Sequence, residues 1–136
     1  MSRAIVNVDG GARGNPGPAA IGVVVRDAEG TVIEELGEKI GEATNNVAEY
    51  RALLKGIELA DAHGVDELEL VGDSELVVRQ VEGRYKVKNP GMKALHAEVM
   101  KALAGFDSWS IRHVRRAENA DADRLVNEAL DGVLDG

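Results

Sequence analysis

Four acidic residues stand at points where the local pattern of this chain changes. Asp9 directly precedes Gly10-Gly11, Glu49 follows Asn46 by three residues, Asp73 directly precedes Ser74, and Asp123 lies two residues before Leu125. Gathered in one place without a compensating lysine, four carboxylates repel one another. A hard divalent cation such as magnesium relieves that repulsion, because it takes oxygen ligands and keeps positions for water and phosphate. Two such ions roughly 4 Å apart activate a water and stabilise the leaving oxygen of an in-line phosphoryl displacement. Each acid also has a plainer reading. Asp9 starts a turn, Glu49 completes a capping box opened by Asn46, Asp73-Ser74 caps a helix, and Asp123, with its neighbour Asp121, favours a helix dipole. Spacing alone does not join the four.

The elements that must position them follow from periodicity and punctuation. Residues 4–9 alternate as a short strand, and the glycine- and proline-rich stretch 10–18 reads as loop. Residues 20–26 and 31–40 read as strands paired in a hairpin across the turn 27–30. A helix opens at Asn46, carries Leu53, Ile57 and Ala60 on one stripe and ends near His63-Gly64. A strand over 67–71, a helix over 75–82, a basic loop over 85–90, a helix opening at Pro90-Gly91, a strand over 109–114 and a last helix through Leu125, Val126, Ala129 and Leu130 complete the order. Three strands in a meander followed by alternation imply a mixed sheet with helices on its faces. Asp9 and Asp73 then end strands that, as parallel neighbours, bring them roughly 5 Å apart, where α/β sheets collect ligands. Glu49 lies on the inward stripe of its helix.

Composition narrows the chemistry. The chain has 136 residues, 44% apolar and 29% charged, which suits one soluble domain. It holds no cysteine, so thiolate metal sites and cysteine nucleophiles are excluded. No apolar run is long enough to cross a bilayer and no secretory signal opens the chain, so a cytoplasmic protein without a membrane partner is expected. The net charge of −8 argues against a polyanionic partner only on average. Five basic residues and one acid fall between Arg79 and Lys93, and four basic residues and three acids between Arg112 and Arg124. A polyanion would therefore bind on a local patch. The segment GGARGNPG lacks the Gly-Lys-Ser/Thr ending of a phosphate-binding P-loop and the G-x-G-x-x-G of a dinucleotide fold. What remains is a tight turn whose N–H groups suit a sugar–phosphate chain.

The segments NVDGGARGNPGPAAIGVVV, TNNVAEYRALLKGIELA, VGDSELVVRQVEGRYKVKNPGM and HVRRAENADADRLVNEAL resemble the four signature blocks of the type 1 ribonuclease H family, over residues 5 to about 131. The resemblance implies an α/β ribonuclease H-like fold: a five-stranded mixed sheet in the order 3-2-1-4-5, flanked by helices. It implies an endonuclease that cuts the RNA strand of RNA–DNA hybrids with two Mg2+ ions, for which Mn2+ can substitute, leaving 5′-phosphate and 3′-hydroxyl ends. Asp9, Glu49, Asp73 and Asp123 become the metal ligands and catalytic residues. The backbone of Gly10 and Gly11, with the Glu49 carboxylate, would read 2′-hydroxyls, which distinguish RNA from DNA. Asn15, Asn45 and Asn46 would touch the hybrid, Ser74 would sit beside the RNA strand, and Arg79, Arg84, Lys86 and Lys88 would approach phosphates.

The chain also departs from that family. Glu75 stands where many members have a glutamine, and the stretch 83–91 lacks a longer basic handle, so binding is expected to be modest and salt-sensitive. Many members carry a mobile histidine before the last acid that aids product release; His113, Arg115 and Arg116 all compete for that role. The domain is expected over residues 1–131, acting as a monomer, with 132–136 as a tail or a cut linker to a second enzyme domain. A catalytically silent domain of the same fold, binding hybrid or protein, is the rival reading, and cleavage at ribonucleotide junctions a third.

Overall fold

Valine-rich alternation builds the centre of the molecule. The computed structural model describes residues 2–132. Strand β1 (Arg3–Ala12) turns Ala4, Val6 and Val8 to one face, where they are buried. It pairs antiparallel with β2 (Gly17–Asp27), which pairs antiparallel with β3 (Val32–Ala43). On its other side β1 pairs in parallel with β4 (Glu67–Gly72), and β4 in parallel with β5 (Ser108–His113). The order is β3-β2-β1-β4-β5, as the resemblance implied.

Helix α1 (Asn45–Ala62) joins the meander to β4, and α2 (Glu75–Val81) and α3 (Pro90–Leu103) join β4 to β5. A short 3-10 turn (Arg116–Asn119) then leads into α4 (Ala120–Leu130). The main core lies where Leu53 and Ile57 of α1 and Val99 and Leu103 of α3 meet Val6, Val8, Val23, Val25 and Leu70 of the sheet. Burying each such aliphatic side chain stabilises the fold by about 1.5–3 kcal/mol. A smaller cluster of Ala20, Val126 and Ala129 packs α4 against the opposite face of β2.

Two expectations are corrected. The stretch 10–18 is mostly strand: Gly10, Gly11 and Ala12 pair with Ile21, Ala20 and Ala19, leaving only residues 13–16 between β1 and β2. Gly14 keeps a turn role, at φ +102° in that connection, but Gly10 serves close packing, as does Gly22 on β2. A Cβ on Gly10 would lie 2.3 Å from the Ala48 carbonyl of α1, and one on Gly22 would lie 2.2 Å from the Ala122 carbonyl of α4. Only a residue without a side chain lets those helices approach the sheet so closely. The first helix is also capped by Thr44, not Asn46, for the Thr44 hydroxyl accepts from the Val47 N–H at 3.2 Å. Glu49 is then too far along the helix to complete a capping box. Of the tail expected over 132–136, residues 133–136 lie outside the described residues.

Candidate functional site

The strand ends and the two close helices converge on one open cleft of about 400 Å³. Asp9 enters from β1, directly opposite Gly22 in the β1–β2 register. Asp73 follows the last residue of β4, and since Ser74 is the residue whose hydroxyl caps α2, the Asp73 carboxylate is left to the cleft. Glu49 arrives on α1, which Gly10 admits, and its Oε1 accepts the Gly10 N–H at 3.3 Å. Carboxylate oxygens of Asp9, Glu49 and Asp73 lie within 4.8 Å of one another. Asp123 lines the same cleft from the first turn of α4, where its Oδ1 accepts from the Arg116 guanidinium at 3.2 Å. Asp121 points elsewhere and pairs with Arg26 at 2.6 Å.

Burial and mutual repulsion dominate the electrostatics. Asp9 and Glu49 are 7% and 8% exposed. Loss of hydration, then the Asp73 charge, pushes the Asp9 carboxyl up to about 7. Burial, then the charges of Asp9 and Asp73, holds the Glu49 carboxyl well above the ordinary carboxylate range. A hydrogen bond between the two favours the ionised form of Asp9 and the protonated form of Glu49. Arg116 is held more strongly protonated, first by Asp123 and more weakly by Asp9 and Asp73. The donor set is all oxygen, concentrated and without a lysine, and it fits a hard divalent cation.

Other residues named from sequence divide into two groups. Gly10, Gly11, Asn45, Asn46, Ser74 and Arg116 line the cleft with the acids. Asn15 sits just beyond it: its Oδ1 accepts the Asn45 N–H at 3.0 Å, while Asn45 Oδ1 accepts the Ala12 N–H at 2.9 Å. Both bonds use amide oxygens, so the NH2 groups are what each side chain has to offer a ligand. Arg79, Arg84, Lys86 and Lys88 are not part of the cleft lining. They form an outlying basic stretch on α2 and the chain after it, where Arg79 pairs with Glu82 at 2.8 Å. This stretch is tied to α1 by buried Gln80, which accepts from the Tyr50 hydroxyl at 2.6 Å and donates to the Lys86 carbonyl at 3.4 Å. His113 closes β5, paired with Gly72, and Arg115 is exposed and paired with Glu118 at 2.9 Å. Sequence reasoning missed three polar residues at the site. Arg13 and Asn127 line the cleft, and Asn119 donates to Asp73 Oδ2 at 3.3 Å. Asn127 was within reach of a periodicity argument, four residues after Asp123 on the same helix.

Comparison with known proteins agrees with this geometry. The family model described as "Reverse transcriptase-like" matches residues 7–129. A ribonuclease HI of Halobacterium salinarum is 49% identical over 90% of this chain. The crystal structure of RNase H1 from that archaeon superimposes with a TM-score of 0.93 at 47% identity, covering 95% of this chain and 98% of the other. The N-terminal RNase H domain of a Mycobacterium tuberculosis protein gives 0.92 at 45% identity, covering 95% and 99%. An RNase H1 isolated from compost, solved in complex with an RNA/DNA hybrid, gives 0.91 at 47% identity, covering 96% and 99%. The sheet order and the acids just past the end of the parallel β1–β4 pairing thus define a ribonuclease H-type domain. The chain belongs to the type 1 ribonuclease H family. It spans 62% of the length of the Halobacterium relative and 36% of that of the mycobacterial one, which is a bifunctional protein.

Proposed function

We propose that this chain is an endoribonuclease that hydrolyses the RNA strand of RNA–DNA hybrids, leaving 5′-phosphate and 3′-hydroxyl ends. The observation that carries the reading is the trio of Asp9, Glu49 and Asp73, the first two buried and the third half-buried, with oxygens within 4.8 Å of one another in an open cleft. Asp9, Glu49, Asp73 and Asp123 would hold two divalent ions, Mg2+ with Mn2+ able to substitute. Bound there, the ions supply charge neutralisation, an activated water and stabilisation of the leaving oxygen.

The chain's own residues do the rest. Asp9 and Glu49 would hold the ions as carboxylates, because ligands must be ionised to bind. The Gly10 and Gly11 backbone lines the cleft beside the acids and would offer its polar groups to a ribose. The amide groups of Asn45 and Asn46 and the Ser74 hydroxyl line the same cleft and suit 2′-hydroxyl and backbone contacts. Arg79, Arg84, Lys86 and Lys88 offer cations to phosphates of the second strand. Of His113, Arg115 and Arg116, the last is the one we assign to phosphate contact and turnover, because it faces the acids. Among the described residues no helix is long and apolar enough to cross a membrane. We place the enzyme in the cytoplasm, working as a monomer, with the domain spanning residues 1–131.

A labelled RNA–DNA hybrid incubated with Mg2+ or Mn2+ tests this reading. The expected result is RNA-strand cleavage, no cleavage of duplex DNA, and loss of activity on chelation. Cleavage that survives chelation removes the metal-dependent mechanism. Binding without cleavage in either metal selects a silent hybrid-binding domain instead.

A further inference from the structure

Asn119 occupies the N-cap position of α4, where an asparagine ordinarily accepts a backbone N–H of the first helical turn. Its side chain makes no capping bond. It turns instead into the sheet, where the residue is 1% exposed. There Nδ2 donates to the Val8 carbonyl at 2.9 Å and to Asp73 Oδ2 at 3.3 Å, and Oδ1 accepts from Asn7 Nδ2 at 3.0 Å. These partners fix the orientation of the amide. Turned over, its oxygen would face the Val8 carbonyl and the Asp73 carboxylate, and its NH2 would face the NH2 of Asn7.

We infer that Asn119 is a positioning residue that sets where the Asp73 carboxylate stands in the metal cradle. One side chain links three parts of the site: the β1 backbone directly before Asp9, the acid after β4, and the start of the helix that carries Asp123. It does so as a neutral donor. Arg116, which also touches an acid of the cleft, brings a positive charge that competes with a cation, whereas an amide N–H fixes the rotamer of Asp73 and leaves the charge of the cluster for the ion. Removing a group that orients a metal ligand typically lowers metal affinity or activity about 10–100-fold.

This inference rests on the metal-dependent reading above, and the experiment separates the two. Mg2+ binding is measured by calorimetry on the wild-type chain, Asn119→Leu, which keeps the shape without the N–H, and Asn119→Ala. The expected result is a dissociation constant raised about tenfold or more in both variants. At saturating Mg2+, kcat returns close to wild type and KM for hybrid stays unchanged. Unaltered Mg2+ affinity in a folded variant overturns the inference alone, even if the variant melts at a lower temperature. Absence of ion uptake by the wild type overturns the metal reading and this inference with it. Should both variants fail to fold, the wild-type chain decides: the Asn119 side-chain NH2 resonances are expected to shift on Mg2+ titration together with the Gly10 amide. Movement of Gly10 without Asn119 refutes the role.

Discussion

The acid cleft and the basic stretch from Arg79 to Lys88 are both charged, but they are held in opposite ways. In the cleft, Asp9 and Glu49 are buried and repel their neighbours, and they are kept together by a sheet and a helix that cannot separate without unpacking the core. In the basic stretch, Arg84, Lys86 and Lys88 are exposed, and Arg79 already pairs with Glu82. Exposed pairs of this kind contribute about 0–1 kcal/mol. The stretch is fixed chiefly through neutral contacts, Gln80 to the Lys86 carbonyl and to Tyr50. The difference teaches a division of labour. Buried charge forced together supplies chemistry that depends on distances of tenths of an ångström. Exposed charge on a tethered segment supplies attraction that tolerates movement and is weakened by salt.

Substitutions in the two regions should therefore fail in different currencies. The largest effect is expected for Asp9→Asn, which keeps the shape and removes a ligand. Hybrid cleavage should fall by about a thousandfold, the scale of several kcal/mol of lost transition-state stabilisation. Metal-free melting should hold or rise, because a source of repulsion is gone. A marked fall in melting temperature would give Asp9 a structural role and blur the contrast. Next is Gly10→Ala, whose new methyl meets the Ala48 carbonyl at 2.3 Å. Denaturant titration should register a loss of about 1–3 kcal/mol, accompanied by lower activity as α1 and Glu49 are pushed away. A fully stable and active variant would show that the helix approach is not what sets the cleft.

The pH dependence of stability comes third. The folded-state pKa of Asp9 is raised above its ordinary value to about 7. In the metal-free protein its contribution to stability is therefore fully present below the unfolded pKa of about 4 and is lost as pH rises through 7. Each group so shifted tilts stability by at most about 1.4 kcal/mol per pH unit. Melting temperatures between pH 5 and 8 should fall without metal and flatten with Mg2+, which favours the ionised cluster. Equal slopes with and without Mg2+ would contradict the picture of protons displaced by ions. The smallest effect is expected from Arg84→Ala with Lys86→Ala. Hybrid affinity should weaken, and its logarithmic dependence on salt should lose about 0.9 for each phosphate contact removed, with kcat unchanged. An unaltered salt slope would take these residues out of the interface.

Much of this was legible in the residues. Strand alternation in 4–9, the glycine stops at Gly64 and Gly83, and Pro90 opening a helix all stand in the structure as read. Asp9 and Asp73 could be placed together because parallel neighbouring strands bring their carboxyl ends to one edge. What misled was double use. Gly10 and Gly11 have the composition of a turn, yet they lie in a paired strand, and Gly10 admits a helix. Glu49 has the spacing of a capping residue, but the cap is Thr44 and the carboxylate turns to Gly10. Asn119 carries no local signal of its role: from the N-cap position of α4 its side chain turns into the sheet. Each error has one cause: local pattern reports the conformation a residue favours, while the partner that claims its side chain comes from a distant part of the chain.

Gly10 and Gly22 also make the cleft difficult to resize. Two hydrogen atoms, one on each side of the central strand pair, act as the spacers that set how near α1 and α4 come to the sheet. Any other amino acid at either position is thicker, so the approach of either helix can be loosened only in a coarse step and cannot be tightened. Redesign for a larger or smaller substrate would therefore have to begin at the rim, at Arg13, Asn46 or Asn127, rather than at the floor.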